Sequence, residues 1–532
     1  MLTKKRITLI GILLVLVIGG AYSYFRLVVG QRLTPQASAK LVPERASSLT
    51  FINTDPDVWS HLEKYGTPEA QTVWKGYLEQ IEQDILPHSE LNYEEDIAPW
   101  LSGMAIAHFP SFNPFSQDKN VLVIAGITNS LKARNFLGSL KNNGSTQVRQ
   151  RQYQGVTITE VETADGGRAS GAMVQGYILF SPQGKVIEQA IATTQGQPSF
   201  ASEEGMQQLL SRGLNLENPA AQVYLTDYSQ WLGKGLAGQG FDVIESAVMG
   251  IELKPEGIHW QTLALSAETE FLTLPPNESQ LLSEFPESTV ALINGHQLDQ
   301  LWSQLVDRSQ ETPLLRVGLS VMRRWARSWD LDLDQDVFSW LNGEYAIALF
   351  PTQESSLPNL PFAGGILIES SQPEIGEKTL GKLSNIARKN PFLTQETEIL
   401  GNTEVTTWQD PSQQPFLSYG WLQEERLMVT VATPLRIFAE KQGENSLRNS
   451  PQFSAMAEHL PDSNFGYVYF DIKQAMTLLE AIPQHPLKKL SPQAKVTLNS
   501  MEQVALTAFQ PEPSLRQIDI FLSLTATAID QN

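Results

Sequence analysis

Cysteine is absent from all 532 residues, which removes disulfides, thiolate nucleophiles, thiolate zinc sites and lipoprotein anchoring together. Positive charge is scarce: 38 Lys and Arg against 58 Asp and Glu leave a formal net charge of −20. Six of the basic residues and none of the acidic ones fall in the first forty positions, so the rest of the chain sets 32 basic residues against 58 acidic. A body of that sign does not favour nucleic-acid phosphates. Motifs that carry chemistry are missing too. There is no G-x-x-x-x-G-K-[ST] phosphate loop and no G-x-S-x-G nucleophile elbow. The seven histidines, His61, His88, His108, His259, His296, His459 and His485, form neither H-x-H nor H-E-x-x-H, the spacings that aim two imidazoles at one zinc.

Long apolar runs occur in one place. After Lys4, Lys5 and Arg6, the stretch from Ile7 to Phe25 carries no charge, and 19 residues of helix span about 28 Å, close to a bilayer's hydrocarbon core. Tyr22, Tyr24 and Phe25 suit an aromatic belt. The expectation is a transmembrane anchor over residues 1–30 with its amino terminus in the cytoplasm, the body then lying in the periplasm or a thylakoid lumen. The alternative is a cleaved signal peptide, for which Gly19, Gly20 and Ala21 supply small residues. Residues 31–40, with Pro35 among small and polar side chains, read as a stalk.

The remaining length suits two to four domains, and an internal repeat with a period near 240 residues narrows that to two. Asp96-Ile97-Ala98-Pro99-Trp100-Leu101-Ser102-Gly103 matches Asp336-Val337-Phe338-Ser339-Trp340-Leu341-Asn342-Gly343, continuing into Ala105-Ile106-Ala107-His108-Phe109-Pro110 against Ala346-Ile347-Ala348-Leu349-Phe350-Pro351. Phe51-Ile52-Asn53 pairs with Leu292-Ile293-Asn294, and Val223-Tyr224-Leu225 with Val468-Tyr469-Phe470. Each half ends in a hairpin signature, around Lys254-Pro255-Glu256-Gly257 and around Pro511-Glu512-Pro513. The predicted organisation is two homologous α+β domains, 41–270 and 284–532, joined by a linker over 271–283. The apolar run Val121 to Ile127 reads as a buried strand, and Ala133, Phe136, Leu137 and Leu140 as one face of a helix, echoed by Leu380, Leu383 and Ala387. Successive strands across short turns make mainly antiparallel sheet the expectation.

Together Thr54-Asp55-Pro56 leading to Trp59, the Gly66-Thr67-Pro68-Glu69-Ala70-Gln71 element, the Asp96 to Gly103 motif and Val121 to Leu140 resemble a known family. It is domain of unknown function 3352, a group of membrane-anchored cyanobacterial proteins, and the likeness covers essentially the whole chain. The resemblance implies a protein of the plasma membrane, envelope or thylakoid, and brings neither an activity nor catalytic residues with it.

Local sequences that suggest chemistry have plainer readings. The alternating carboxylates of Asp330, Asp332, Asp334 and Asp336 resemble the start of a calcium loop, but its sixth position is Gln335 and its twelfth Leu341, where Gly and Glu are needed. Asp96 and Asp336 read instead as helix N-caps. Gly233 to Gly238 fits G-x-G-x-x-G without the strand–turn–helix setting that would place it on a pyrophosphate, so a loop is expected. Trp100 and Trp340 read as one core wedge used twice. No catalytic, cofactor or metal residue is therefore assigned. The expected function is non-catalytic: a single-pass membrane protein acting as a binding or assembly module with an unknown protein partner and no nucleic acid. The alternatives are a carrier of a lipid or pigment between the repeats, and a hydrolase with a dispersed site.

Overall fold

The structure is a computed structural model describing residues 31–73, 75–76, 95, 97–110, 120–133, 147–162, 168–228, 244–266, 274–310, 312–352, 361–423, 425–439, 445–480, 482 and 485–526. Its framework is twenty strands among the described residues. In the first half these are β1 (Ser48–Ile52), β2 (Leu101–Phe109), β3 (Asn120–Ile127), β4 (Gln147–Tyr153), β5 (Val156–Glu162), β6 (Arg168–Val174), β7 (Tyr177–Ser181), β8 (Ala221–Leu225), β9 (Ile244–Lys254) and β10 (Gly257–Ser266). The second half supplies β11 (Ala291–His296), β12 (Glu344–Pro351), β13 (Phe362–Glu369), β14 (Thr394–Leu400), β15 (Thr403–Gln409), β16 (Pro415–Gln423), β17 (Arg426–Val431), β18 (Tyr467–Asp471), β19 (Met501–Glu512) and β20 (Leu515–Leu524).

Every pairing is antiparallel, and the strands form one sheet in the spatial order 4-5-6-7-3-2-1-8-9-10-20-19-18-11-12-13-17-16-15-14. The second ten repeat the order of the first ten in reverse, so the halves meet through β10 and β20 about a pseudo-twofold axis. That seam runs from Gly257 opposite Ser523 to Leu265 opposite Leu515, with Gln261 opposite Asp519 at its centre. Gly257 is required there, because a Cβ at this position would collide with the Leu522 carbonyl.

This corrects the expected fold class, a transmembrane helix followed by two homologous α+β domains with mainly antiparallel sheets: the strands of both halves form a single antiparallel sheet. The terminal hairpin of each half leaves an outer strand edge, β10 or β20, and the two edges satisfy each other's backbone groups. No helix among the described residues is long and apolar enough to cross a membrane; the anchor expected at 1–30 lies outside the described residues. The expected stalk is packed. Thr34 caps α1 (Pro35–Leu41), which buries Ser38, Ala39 and Leu41. Within the expected linker, Leu281 and Leu282 are buried in the second-half core. In β1 and β11 the equivalence shifts by two residues: Leu49 faces Ala107 and Tyr224, whereas Leu292 faces Ala348 and Tyr469. A two-residue slip preserves the face of every side chain, so the sequence pattern alone does not reveal it.

One face of the sheet is covered in both halves. In the first, α1, α2 (Gly184–Thr194) and α3 (Glu204–Arg212) bury Leu49, Phe51, Leu122, Ile124, Tyr224 and Val248. In the second, Phe285, Phe438 and α7 (Pro451–Ala457) cover Leu292, Ala346, Ala348 and Tyr469; α4 to α6 precede α7 in the chain and are α4 (Leu298–Arg308), α5 (Pro313–Arg327) and α6 (Pro373–Lys389). On the opposite face Trp100 and Ile97 cover Ile178 and Phe180 at one flank, Trp340 with α6 and Trp421 covers the other, and Val58, Trp59, Leu62 and Tyr65 pack on Leu253, Ile258 and Leu522 at one end of the seam.

Both tryptophans are buried, Trp100 at 1% and Trp340 at 4% exposure, as expected of a shared core wedge. The Trp340 indole donates to the Asp336 carbonyl at 2.8 Å and its ring lies against Trp421 and Gly376. Trp340→Ala should cost about 3–5 kcal/mol, the range for emptying a buried aromatic site; a urea titration with the wild-type midpoint would contradict this packing role.

Candidate functional site

The acidic run before Trp340 folds as a single wide turn, Leu333–Val337, and each inner carboxylate has a structural task. Asp332, not Asp336, is the cap, accepting from the amides of Asp334 and Gln335 at 2.9 and 3.1 Å. Asp336 reaches back to the Asp332 amide at 2.8 Å and holds Lys382 at 2.7 Å. The cap shifts to Asp332 because the turn is wound wider than an α-helix, which leaves Asp336 inside it. Asp334 accepts from the Trp302 indole at 2.7 Å and from Arg323 at 2.8 Å, and Arg323 holds its carboxyl below the usual range. These oxygens are committed to protein donors, and no three acidic or histidine side chains among the described residues are grouped to hold a metal ion. Asp96, His88 and Gly233 to Gly238 lie outside the described residues.

The seam brings together residues that no sequence motif links. Alternation along β10 and β20 points His259, Gln261, Gln517 and Asp519 to the helix-covered face. Asp519 is fully buried, yet three side chains converge on it: His259 Nε2 and Gln261 Nε2 approach Oδ1 at 2.9 and 2.8 Å, and Gln517 Nε2 donates to Oδ2 at 2.7 Å. Gln261 turns its own oxygen to the Asn215 amide at 2.5 Å. Phe521 lies between two imidazoles, stacked on His459 with centroids 4.3 Å apart and tilted against His259 at 6.4 Å. Burial pushes the His459 imidazole down from its ordinary value.

Above this floor, between the ends of α3 and α7, is a cleft of about 590 Å³. Its walls are strongly polar, and most of their charges are paired: Arg212 with Glu512 at 3.1 Å and Lys254 with Glu252 at 3.1 Å, while His259 is hydrogen-bonded to Asp519. No serine, threonine, tyrosine or cysteine among the described residues lines it. The arrangement joins the two halves across the His–Asp pair. One sequence signal could have revealed it: polar residues at equivalent alternate positions of the two terminal hairpins, where a core strand would carry apolar ones.

The open part of the opposite face, beside the cover supplied by Val58, Trp59, Leu62 and Tyr65, is the second candidate. Ile366, Ile347, Ile293, Val468, Leu506, Ile520 and Trp260 stand directly opposite one another in turn, across seven neighbouring strands. Ile347, Ile293, Val468 and Trp260 are 40–49% exposed, and Leu349, Phe470 and Ile518, two residues along on the same face, are similarly open.

A family profile described as a protein of unknown function, DUF3352, matches residues 7–524. The chain belongs to this family. No curated protein matches it. Among solved structures it is similar to crystal form IV of TP0453, at 8% identity and a TM-score of 0.26, covering 45% of this chain and 82% of that one. Crystal form III gives the same identity and score over 43% and 79%. A likeness at that score carries no argument about this DUF3352 protein's fold or function.

Replacing Asp519 by Ala would strand three buried donors at the seam and should destabilise the protein by about 3–5 kcal/mol, as for other broken buried pairs. Asp519→Asn, which retains one acceptor oxygen, should lose less. Equal urea midpoints for wild type and Asp519→Ala would remove the carboxylate from the set of interactions that hold the halves together.

Proposed function

We propose that this DUF3352 protein is a non-catalytic binding or assembly module whose working surface is the apolar ladder across the seam. The observation that carries this is the row from Ile366 to Trp260, roughly 30 Å wide at about 4.8 Å per strand, with large side chains left open at its centre. Scattered exposed hydrophobics are ordinary, whereas a contiguous apolar patch marks a contact surface. An aligned row of apolar side chains across neighbouring strands suits a partner that is itself extended or sheet-like. The internal pairing of charges in the seam cleft supports a structural task for that side of the sheet. A lipid or pigment carried between the halves has less support, because the space there is lined by charged and amide groups.

The test is a photo-crosslinking amino acid placed at Ile293 or Val468, with Glu398 on β14 as an exposed control, in the protein's native cells. Discrete adducts from the two ladder positions, lost when Ile347→Lys is added and absent from the control, are the expected result. Irradiation that yields no adduct from either ladder position would overturn the proposal.

A further inference from the structure

The helix α5 has more apolar surface than the fold uses. Leu319 and Ala326 are buried and Leu315 half-buried, packing with Trp302 and Leu333. Arg323 fixes this orientation by pairing with Asp334 and lying over the Trp302 ring, 5.7 Å from its centroid. Val317, Val321 and Trp325 then recur four residues apart on an outward face, with Met322 beside them and Trp329 just beyond the helix. Their exposures are 60, 54, 64, 47 and 41%. At 100° per residue this open stripe adjoins the buried one on one side and the arginines on the other.

Charge distinguishes the helix from the acidic body that carries it. Between Pro313 and Arg327 there are four arginines, Arg316, Arg323, Arg324 and Arg327, and no carboxylate, in a chain of net charge −20. Arg316 is turned to the Ser309 carbonyl at 3.0 Å and Arg323 is engaged by Asp334, while Arg324 and Arg327 form no ion pair among the described residues. An apolar stripe ending in tryptophans, bordered by arginines that can reach phosphates, is the pattern of a helix lying in a bilayer interface. We propose that α5 docks the protein on a membrane surface carrying anionic lipid headgroups, Val317, Val321 and Trp325 entering the acyl boundary and Arg324 and Arg327 meeting the phosphates. This contact is separate from the apolar ladder.

The test uses the full chain with vesicles of phosphatidylcholine alone or containing phosphatidylglycerol, read by co-flotation. Each variant carries the same residues 1–30, so differences between variants report on α5. Phosphatidylglycerol should add to the flotation seen with phosphatidylcholine alone, and that added binding should fall about thirtyfold in Arg324→Gln/Arg327→Gln, weaken with salt, and be lost in Val321→Ser/Trp325→Ser, whose sites are exposed and tolerate polar side chains. The ladder variant Ile293→Lys/Val468→Lys should bind as wild type does, which separates failure of this inference from failure of the binding-module reading. Indifference to headgroup charge, or unchanged flotation of Val321→Ser/Trp325→Ser, would overturn the proposal. So would a dimer dissolved by those substitutions in the absence of vesicle binding, which would assign the stripe to a second copy.

Discussion

A buried carboxylate sits where two halves become one sheet. Asp519 is taken out of water at a cost of several kcal/mol, and that cost is offset only because His259, Gln261 and Gln517 all point at it. Those donors come from both β10 and β20, so the compensation exists only while the two terminal hairpins are paired in register. A slip by one residue would turn Asp519 to the opposite face and bring Ile518 or Ile520 inward. The polar cluster therefore specifies the register of the seam, and apolar packing of Leu515 in the first-half core and Phe521 in the second adds affinity to it.

The two surfaces assigned a function stand in different relations to this constraint. The apolar ladder crosses from Ile520 on β20 to Trp260 on β10, so its width depends on the seam. Helix α5 is held by Asp334, Arg323 and Trp302, and its orientation depends on the acidic turn before Trp340. The run that looks most like a cation loop in the sequence is thus a clamp on a basic helix.

Much of the layout was legible from sequence. The repeat, the antiparallel character and the burial of Trp100 and Trp340 follow from motif spacing and from apolar alternation, which are local properties. The seam was not, because pairing between Gly257–Ser266 and Leu515–Leu524 joins segments some 260 residues apart, and alternation does not say which edge meets which. The same limit explains the cap at Asp332: D-x-D-x-D suits either aspartate until the width of the turn is known. The outward stripe of α5 could be read as a core face from its period alone; only the partial use of that face by Trp302 and Leu333 exposes the remainder.

Hydrogen–deuterium exchange on the intact chain tests most directly whether the seam makes one cooperative body. Peptides covering β10 and β20 should fall in the slowest-exchanging class and open together with β1 to β3 and β11 to β13, while the outermost strands β4 and β14 exchange sooner. Early exchange at β10 and β20, with both sets of inner strands still protected, would mean two independent halves and would contradict the single-sheet architecture.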